Sequence, residues 1–164
     1  MDAATNDFYY LGLIALFPLI GGLINGIFGS RLPRKMVDYI ASGAVLMSFF
    51  TAILAVQTMV GTGSFAAPQN GVLTYTAYEW IYSGSLGIDI AFMLDPLSAV
   101  MILVVTGVGF LIHLYSTGYM SEEPAKWRYF SYLNFFLFAM LLLVLGKNMI
   151  VTFIGWEGVG ACSY

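Results

Sequence analysis

With 164 residues, of which 60% are hydrophobic and only 9% charged, the chain cannot be an ordinary water-soluble domain, which carries about a quarter charged residues. A net charge of −3 without a basic patch argues against nucleic acid as a partner, and a single cysteine, Cys162, excludes an internal disulfide. A mean hydropathy of +0.85 is that of an integral membrane protein, and no Cys/His cluster in the sequence offers metal ligands.

The N-terminus opens on the acidic residues Asp2 and Asp7, unlike a cleavable signal, and its first apolar block is long enough to span. Five apolar blocks follow one another, at about residues 8–28, 36–60, 96–119, 129–145 and 149–164. At 1.5 Å per residue, about 20 residues cross a hydrocarbon core of about 30 Å. The first three blocks meet that length, the fourth is somewhat short, and the fifth is expected to be a truncated span. The predicted class is an all-α integral membrane protein: a multi-span transmembrane helix bundle with four full spans, a truncated fifth and a small β-hairpin on the outer face.

Boundary residues support this division. Pro18 falls inside the first helix and predicts a bend, tolerable where a neighbour satisfies the freed carbonyl. Gly22 and Gly26 have the spacing of close helix packing. Pro33 is expected to open the second helix, and Asp95-Pro96 reads as an N-cap followed by proline at the first helical position. Gly146 and Asn148 mark a stop and a new cap. Between the second and third helices, residues 61–94 form a long connection. Residues 61–71, rich in Gly, Ser, Ala and Pro, read as loop. Trp80 to Phe92, with Ser83-Gly84-Ser85-Leu86-Gly87 at its centre, reads as a hairpin whose Tyr78, Trp80 and Tyr82 suit a membrane interface.

Five of the six basic residues, Arg31, Arg34, Lys35, Lys126 and Arg128, share one side if every block spans. The positive-inside tendency then turns the N-terminus away from the cytoplasm or matrix. Glu122, Glu123, Lys126 and Arg128 read as solvated loop. Asp38, one turn after Arg34, reads as a boundary ion pair, Asp95 as a cap, and Lys147 as an edge residue that snorkels.

The chemistry is expected at Glu157. From Met149 onward it is the one charged side chain, nine residues past Asn148, so it lies roughly 13–14 Å into the membrane. A carboxylate at that depth is costly and should face protein or water and find a partner there. Desolvation raises its pKa and a nearby lysine lowers it, so it can change charge when its partner moves. The plainer reading is a permanent ion bridge between helices. Two readings stay open for His113: a proton relay, suited by an unperturbed pKa near 6.5, or a neutral imidazole bonded to a backbone carbonyl. No nucleophile–base pair, phosphate-cradling glycine loop or Rossmann fingerprint is present, and nothing in the chain performs redox chemistry.

The strings Asp95-Pro96-Leu97-Ser98, Val104 through His113, and Gly155-Trp156-Glu157-Gly158-Val159-Gly160 followed by Cys162-Ser163-Tyr164 resemble the N-terminal part of the distal antiporter-like membrane subunit of respiratory complex I. This is the L subunit of bacterial NADH:quinone oxidoreductase and chain 5 of the mitochondrial enzyme. The resemblance implies a proton-translocating membrane-arm subunit that couples quinone reduction to proton pumping. It also implies that Glu157 pairs with a lysine on a later helix, and that the hairpin helps tie neighbouring subunits together. NADH, FMN, iron–sulfur clusters and quinone would belong to other subunits, with no cofactor in this chain. Its partners would be the lipid bilayer and other membrane-arm subunits, especially the adjacent antiporter-like one. Its location would be the bacterial plasma membrane or the mitochondrial inner membrane. Family members run to several hundred residues, so the chain is expected to be a partial sequence or truncated product. A subunit of a multi-subunit sodium/proton antiporter and a non-transporting structural fragment stand as alternatives.

Overall fold

The computed structural model describes residues 8–62, 71–83 and 86–164. Its elements run α1 (Tyr10–Phe28), α2 (Arg34–Val60), β1 (Leu73–Ser83), β2 (Leu86–Leu94), α3 (Pro96–Tyr119), α4 (Lys126–Leu145) and α5 (Met149–Ser163). Four of these helices are long and apolar enough to cross a membrane, and α5 is apolar but shorter. Most of the loop expected at 61–71, the centre of the hairpin turn at 84–85, the Tyr82 side chain, Asp2 and Asp7 lie outside the described residues.

Two helix boundaries differ from expectation. Helix α4 begins at Lys126, three residues before the predicted start, so at 20 residues it is long enough to span rather than short. Aromatic residues at its start allow helix while Lys126 and Arg128 hid the turn from a hydropathy reading. Pro33 is the N-cap of α2 with an extended backbone, not its first helical residue. The hairpin is also longer than residues 80–92: β1 and β2 pair antiparallel from Leu73↔Leu94 to Ser83↔Leu86, with irregularities at Thr76/Tyr78 and Glu79/Ile81. Alternating β-branched and aromatic residues in 73–78 extend it.

The other junctions form as their residues dictate. Asp95 accepts from the Ser98 amide at 2.7 Å, while the Asp95 amide donates to Ser98 Oγ at 2.8 Å, a reciprocal capping box at the start of α3. Asn148 Oδ1 accepts from the Val151 amide at 3.0 Å and starts α5. Gly61 closes α2 at φ +78°, a left-handed conformation that favours glycine.

Hydrogen bonds from Ser98 hold the Asp95 carboxyl below the ordinary aspartate range. The stabilisation is complete above the ordinary aspartate value and is lost as pH falls through the lowered folded one. Asp95→Ala is expected to cost about 0.5–2 kcal/mol. A lower unfolding midpoint at neutral pH, converging on wild type in acid, is the measurement.

Helix α1 is central. The carbonyl of Ile14, which loses its helical donor to Pro18, accepts from Ser48 Oγ of α2 at 2.6 Å. Ser131 Oγ of α4 donates to the Gly22 carbonyl at 2.8 Å. A Cβ at Gly26 would lie 2.9 Å from that hydroxyl, so the predicted small-residue stripe is the surface on which α4 rests. Toward the hairpin the core is apolar, built from Leu11, Ile14, Ala52, Ile102, Leu141 and Leu145. Toward the loops that carry Arg31–Lys35 and Ser121–Arg128 a second, smaller apolar cluster of Val37, Ala41 and Phe130 lies beside the buried polar side chains of Asn25, His113 and Lys126.

Candidate functional site: Glu157 and the polar half of the bundle

Helix α5 has two unlike faces. Val151 and Gly155 are buried against α4. A Cβ at Gly155 would overlap the Leu143 amide nitrogen and stand 2.8 Å from the Ala139 carbonyl, and one at Gly158 would stand 2.9 Å from Ala139 Cβ. The glycines therefore let α5 approach α4 to backbone contact. Phe153, Trp156, Glu157, Gly160, Ala161 and Tyr164 are exposed on the remaining surface. Space beside Gly160, about one turn from the carboxylate, is open.

Glu157 is thus held by a rigid helix on a face that α1–α4 do not cover. Among the described residues no hydrogen bond or ion pair engages it, so this structure brings it together with neither His113 nor any cation. Gly155→Ala is expected to push α5 from α4 at a cost of about 1–3 kcal/mol, an overpacking penalty, whereas Gly160→Ala should be tolerated. Unfolding midpoints of the two variants make the comparison.

His113 is fully buried. It lies in the stripe Ile102, Thr106, Gly109, His113 and Ser116, all buried at three- and four-residue spacing. Its Nδ1 is 2.8 Å from the Gly109 carbonyl. A carbonyl only accepts, so Nδ1 carries the proton and Nε2 presents a lone pair. The carbonyl-bonded imidazole anticipated as one reading is present. Nε2 itself has no hydrogen-bond partner among the described residues.

Lys126 corrects an expectation. Placed by sequence in a solvated loop, it is buried, with Nζ at 2.7 Å and 2.8 Å from the two carboxylate oxygens of Asp38 and donating to the Thr117 carbonyl at 3.0 Å. Its ammonium also lies 5.7 Å from the Phe130 ring centre. The boundary ion pair foreseen at Asp38 therefore exists, but its cation comes from α4, while Arg34 donates to the Ser121 carbonyl at 3.2 Å. Glu122, Glu123 and Arg128 are exposed as expected, and so is Lys147.

Sequence reasoning also passed over Asn25 and Asn134, both fully buried. The signal was available: Lys126, Phe130 and Asn134 recur at four-residue spacing on one helical face.

At the other end, Asn148 ties the helix carrying Glu157 to the sheet. Its Nδ2 donates to the Asp89 carbonyl at 2.6 Å, and the Lys147 amide donates to the Ala91 carbonyl at 3.0 Å. Tyr78 and Trp80 are exposed on β1, as an interfacial or docking surface demands.

Residues 80–130 match the family described as NADH-ubiquinone oxidoreductase (complex I), chain 5 N-terminus. The chain is 38% identical over 95% of its length to NADH-ubiquinone oxidoreductase chain 5 of Dictyostelium discoideum, covering 22% of that protein. NADH-quinone oxidoreductase subunit L of Mycobacterium tuberculosis is 36% identical over 95% of the chain, and that of Pseudomonas aeruginosa is 38% identical over 94%. The chain matches the N-terminal part of the chain 5 and subunit L family of complex I. It spans about a quarter of the length of each of those two bacterial relatives, 24%. The four long apolar helices fit a multi-pass membrane subunit of the chain 5 family.

Proposed function

We propose that this chain forms the N-terminal helices of a proton-translocating membrane-arm subunit of NADH:quinone oxidoreductase. Glu157 is its charge-switching group. The observation that carries this reading is the ionisable carboxylate within the apolar helix α5, carried on the face that α4 does not occupy. A carboxylate in hydrocarbon is expensive unless it meets protein or water, so that face is where a further helix belongs. A lysine brought there would hold Glu157 ionised, and loss or movement of the lysine charge would favour its protonation. Redox cofactors and quinone belong to other subunits in this proposal, and the chain contributes only proton handling.

The hairpin, with exposed Tyr78 and Trp80, is the proposed contact with the adjacent membrane-arm subunit. The loops bearing Arg31, Arg34, Lys35 and Arg128 are proposed to face the cytoplasm or matrix, which leaves the N-terminus on the periplasmic or intermembrane side. Glu157→Gln in the assembled complex, with proton uptake and NADH oxidation followed together, tests the assignment. Normal pumping by that variant would retire it.

A further inference from the structure

The two ends of the bundle differ in charge. At the end that carries the α1–α2 and α3–α4 loops stand the basic residues Arg31, Arg34, Lys35, Lys126 and Arg128, against the acids Asp38, Glu122 and Glu123. At the hairpin end the described residues include Glu79, Asp89 and Asp95, with Lys147 as the cation. The basic end also carries exposed tyrosines: Tyr39 on α2, and Tyr115 and Tyr119 on α3, whose rings stack 5.8 Å apart. A tyrosine ring with a polar tip belongs at the level of lipid headgroups.

Between α2 and α3 at that end lies an open cavity of about 220 Å³, lined by Lys35, Asp38, Tyr39, Ser42, Leu114 and Thr117. Lys35 is the second residue of α2, and Thr117 is two residues from the end of α3. Ser42, the deepest of the six, is eight residues into α2, about 12 Å at the helical rise. The cavity therefore runs from the membrane surface into one leaflet, and its chemistry changes along the way. Lys35 is exposed at the mouth and has no hydrogen bond or ion pair among the described residues. Asp38, the acid in the lining, has its carboxylate oxygens 2.7 Å and 2.8 Å from Lys126 Nζ, so its charge is already matched. Ser42 Oγ, at the deep end, has no hydrogen-bond partner among the described residues. Beyond it the exposed surface of the two helices is apolar, with Met47 and Phe50 on α2 and Leu111 and Val108 on α3. A cation, then a hydroxyl, then hydrocarbon is the order in which a phospholipid presents its phosphate, ester and acyl chain.

We propose that this groove seats one anionic phospholipid of the leaflet on the basic-loop side, with its phosphate against Lys35 and an acyl chain along α2 and α3. Lys35 supplies the direct contact. Arg31, and Arg34 beside its bond to the Ser121 carbonyl, add attraction at longer range. Each basic residue near a bilayer surface favours anionic lipid roughly fivefold. A zwitterionic lipid offers the same phosphate, but its own cation lies next to it and weakens the pull of Lys35. The site rests on α2 and α3 spanning the membrane and not on the role proposed for Glu157.

The full-length subunit in its assembled complex, reconstituted into phosphatidylcholine bilayers, tests the site. The probe is phosphatidylglycerol with a photoactivatable diazirine on one acyl chain near its ester, compared with phosphatidylcholine bearing the same diazirine. Peptide mapping by mass spectrometry should find phosphatidylglycerol attached at Tyr39 or Leu114 at least roughly fivefold more than phosphatidylcholine. Leu97, exposed at the other end of α3, should show no such preference. Lys35→Gln should remove most of the preference and Lys35→Arg should keep it, both in normally assembled complex because Lys35 is exposed. Equal labelling by the two lipids, an unlabelled groove, or a preference that survives Lys35→Gln overturns the proposal. None of these readings is altered by the outcome at Glu157→Gln.

Discussion

Glu157→Gln is expected to lower NADH-driven proton uptake at least roughly tenfold in the assembled complex, a conservative bound beside the roughly 10²–10⁴-fold that a positioned acid–base group contributes. Glu157→Asp should keep part of the activity. The substitution is informative because Glu157 takes no part in seating α5. The packing face is Val151, Gly155 and Gly158, against Ala139 and Leu143 of α4, and the carboxylate projects from the other side. Glutamine preserves size and removes only the charge and the titration. Proton uptake into sealed vesicles, measured alongside NADH oxidation and complex assembly, separates a pumping defect from a folding one. A fully assembled Glu157→Gln complex with an unchanged proton-to-electron ratio would end the assignment.

The largest stability effect is expected at Lys126. Lys126→Met leaves Asp38, with 18% of its side chain exposed, without a cation beside it, at a cost of about 3 kcal/mol, the low end for breaking a buried pair. Replacing both members, as Asp38→Leu with Lys126→Met, should recover most of the loss, because an apolar pair of similar volume escapes the desolvation penalty. The three proteins would be compared by unfolding midpoint in one detergent. If the single variant unfolds with wild type, the pair is solvated in the native protein and the burial seen here does not hold.

That ion pair also shows where sequence reading reached its limit. Its members are 88 residues apart, and each has a nearer and equally plausible setting. Asp38 sits one turn from Arg34, and Lys126 adjoins the charged loop at Glu122 and Glu123. Local spacing favours those readings, and only the packing of α2 against α4 rejects them. The start of α4 was misplaced for the same reason, since a hydropathy window discards a charged first turn even when tertiary contacts bury it. Pro33 and the longer hairpin are smaller cases, decided by the chain's path on either side of the element.

What the sequence determined alone follows from short-range physics. Bilayer thickness turns runs of about 20 apolar residues into spans, so the membrane class and the existence of four crossing helices were legible. Caps were legible too, because Asp95 with Ser98 and Asn148 with Val151 act within one turn. The position of Glu157 in an apolar segment was a matter of counting. Tertiary structure alone decided which face of α5 carries that carboxylate outward, because the choice depends on Gly155 and Gly158 meeting the α4 backbone. It also decided that Ser48 completes the carbonyl opened by Pro18, and that Lys126 is buried against Asp38. Those outcomes depend on atoms far apart in the chain, and helix periodicity specifies a face without naming what will cover it.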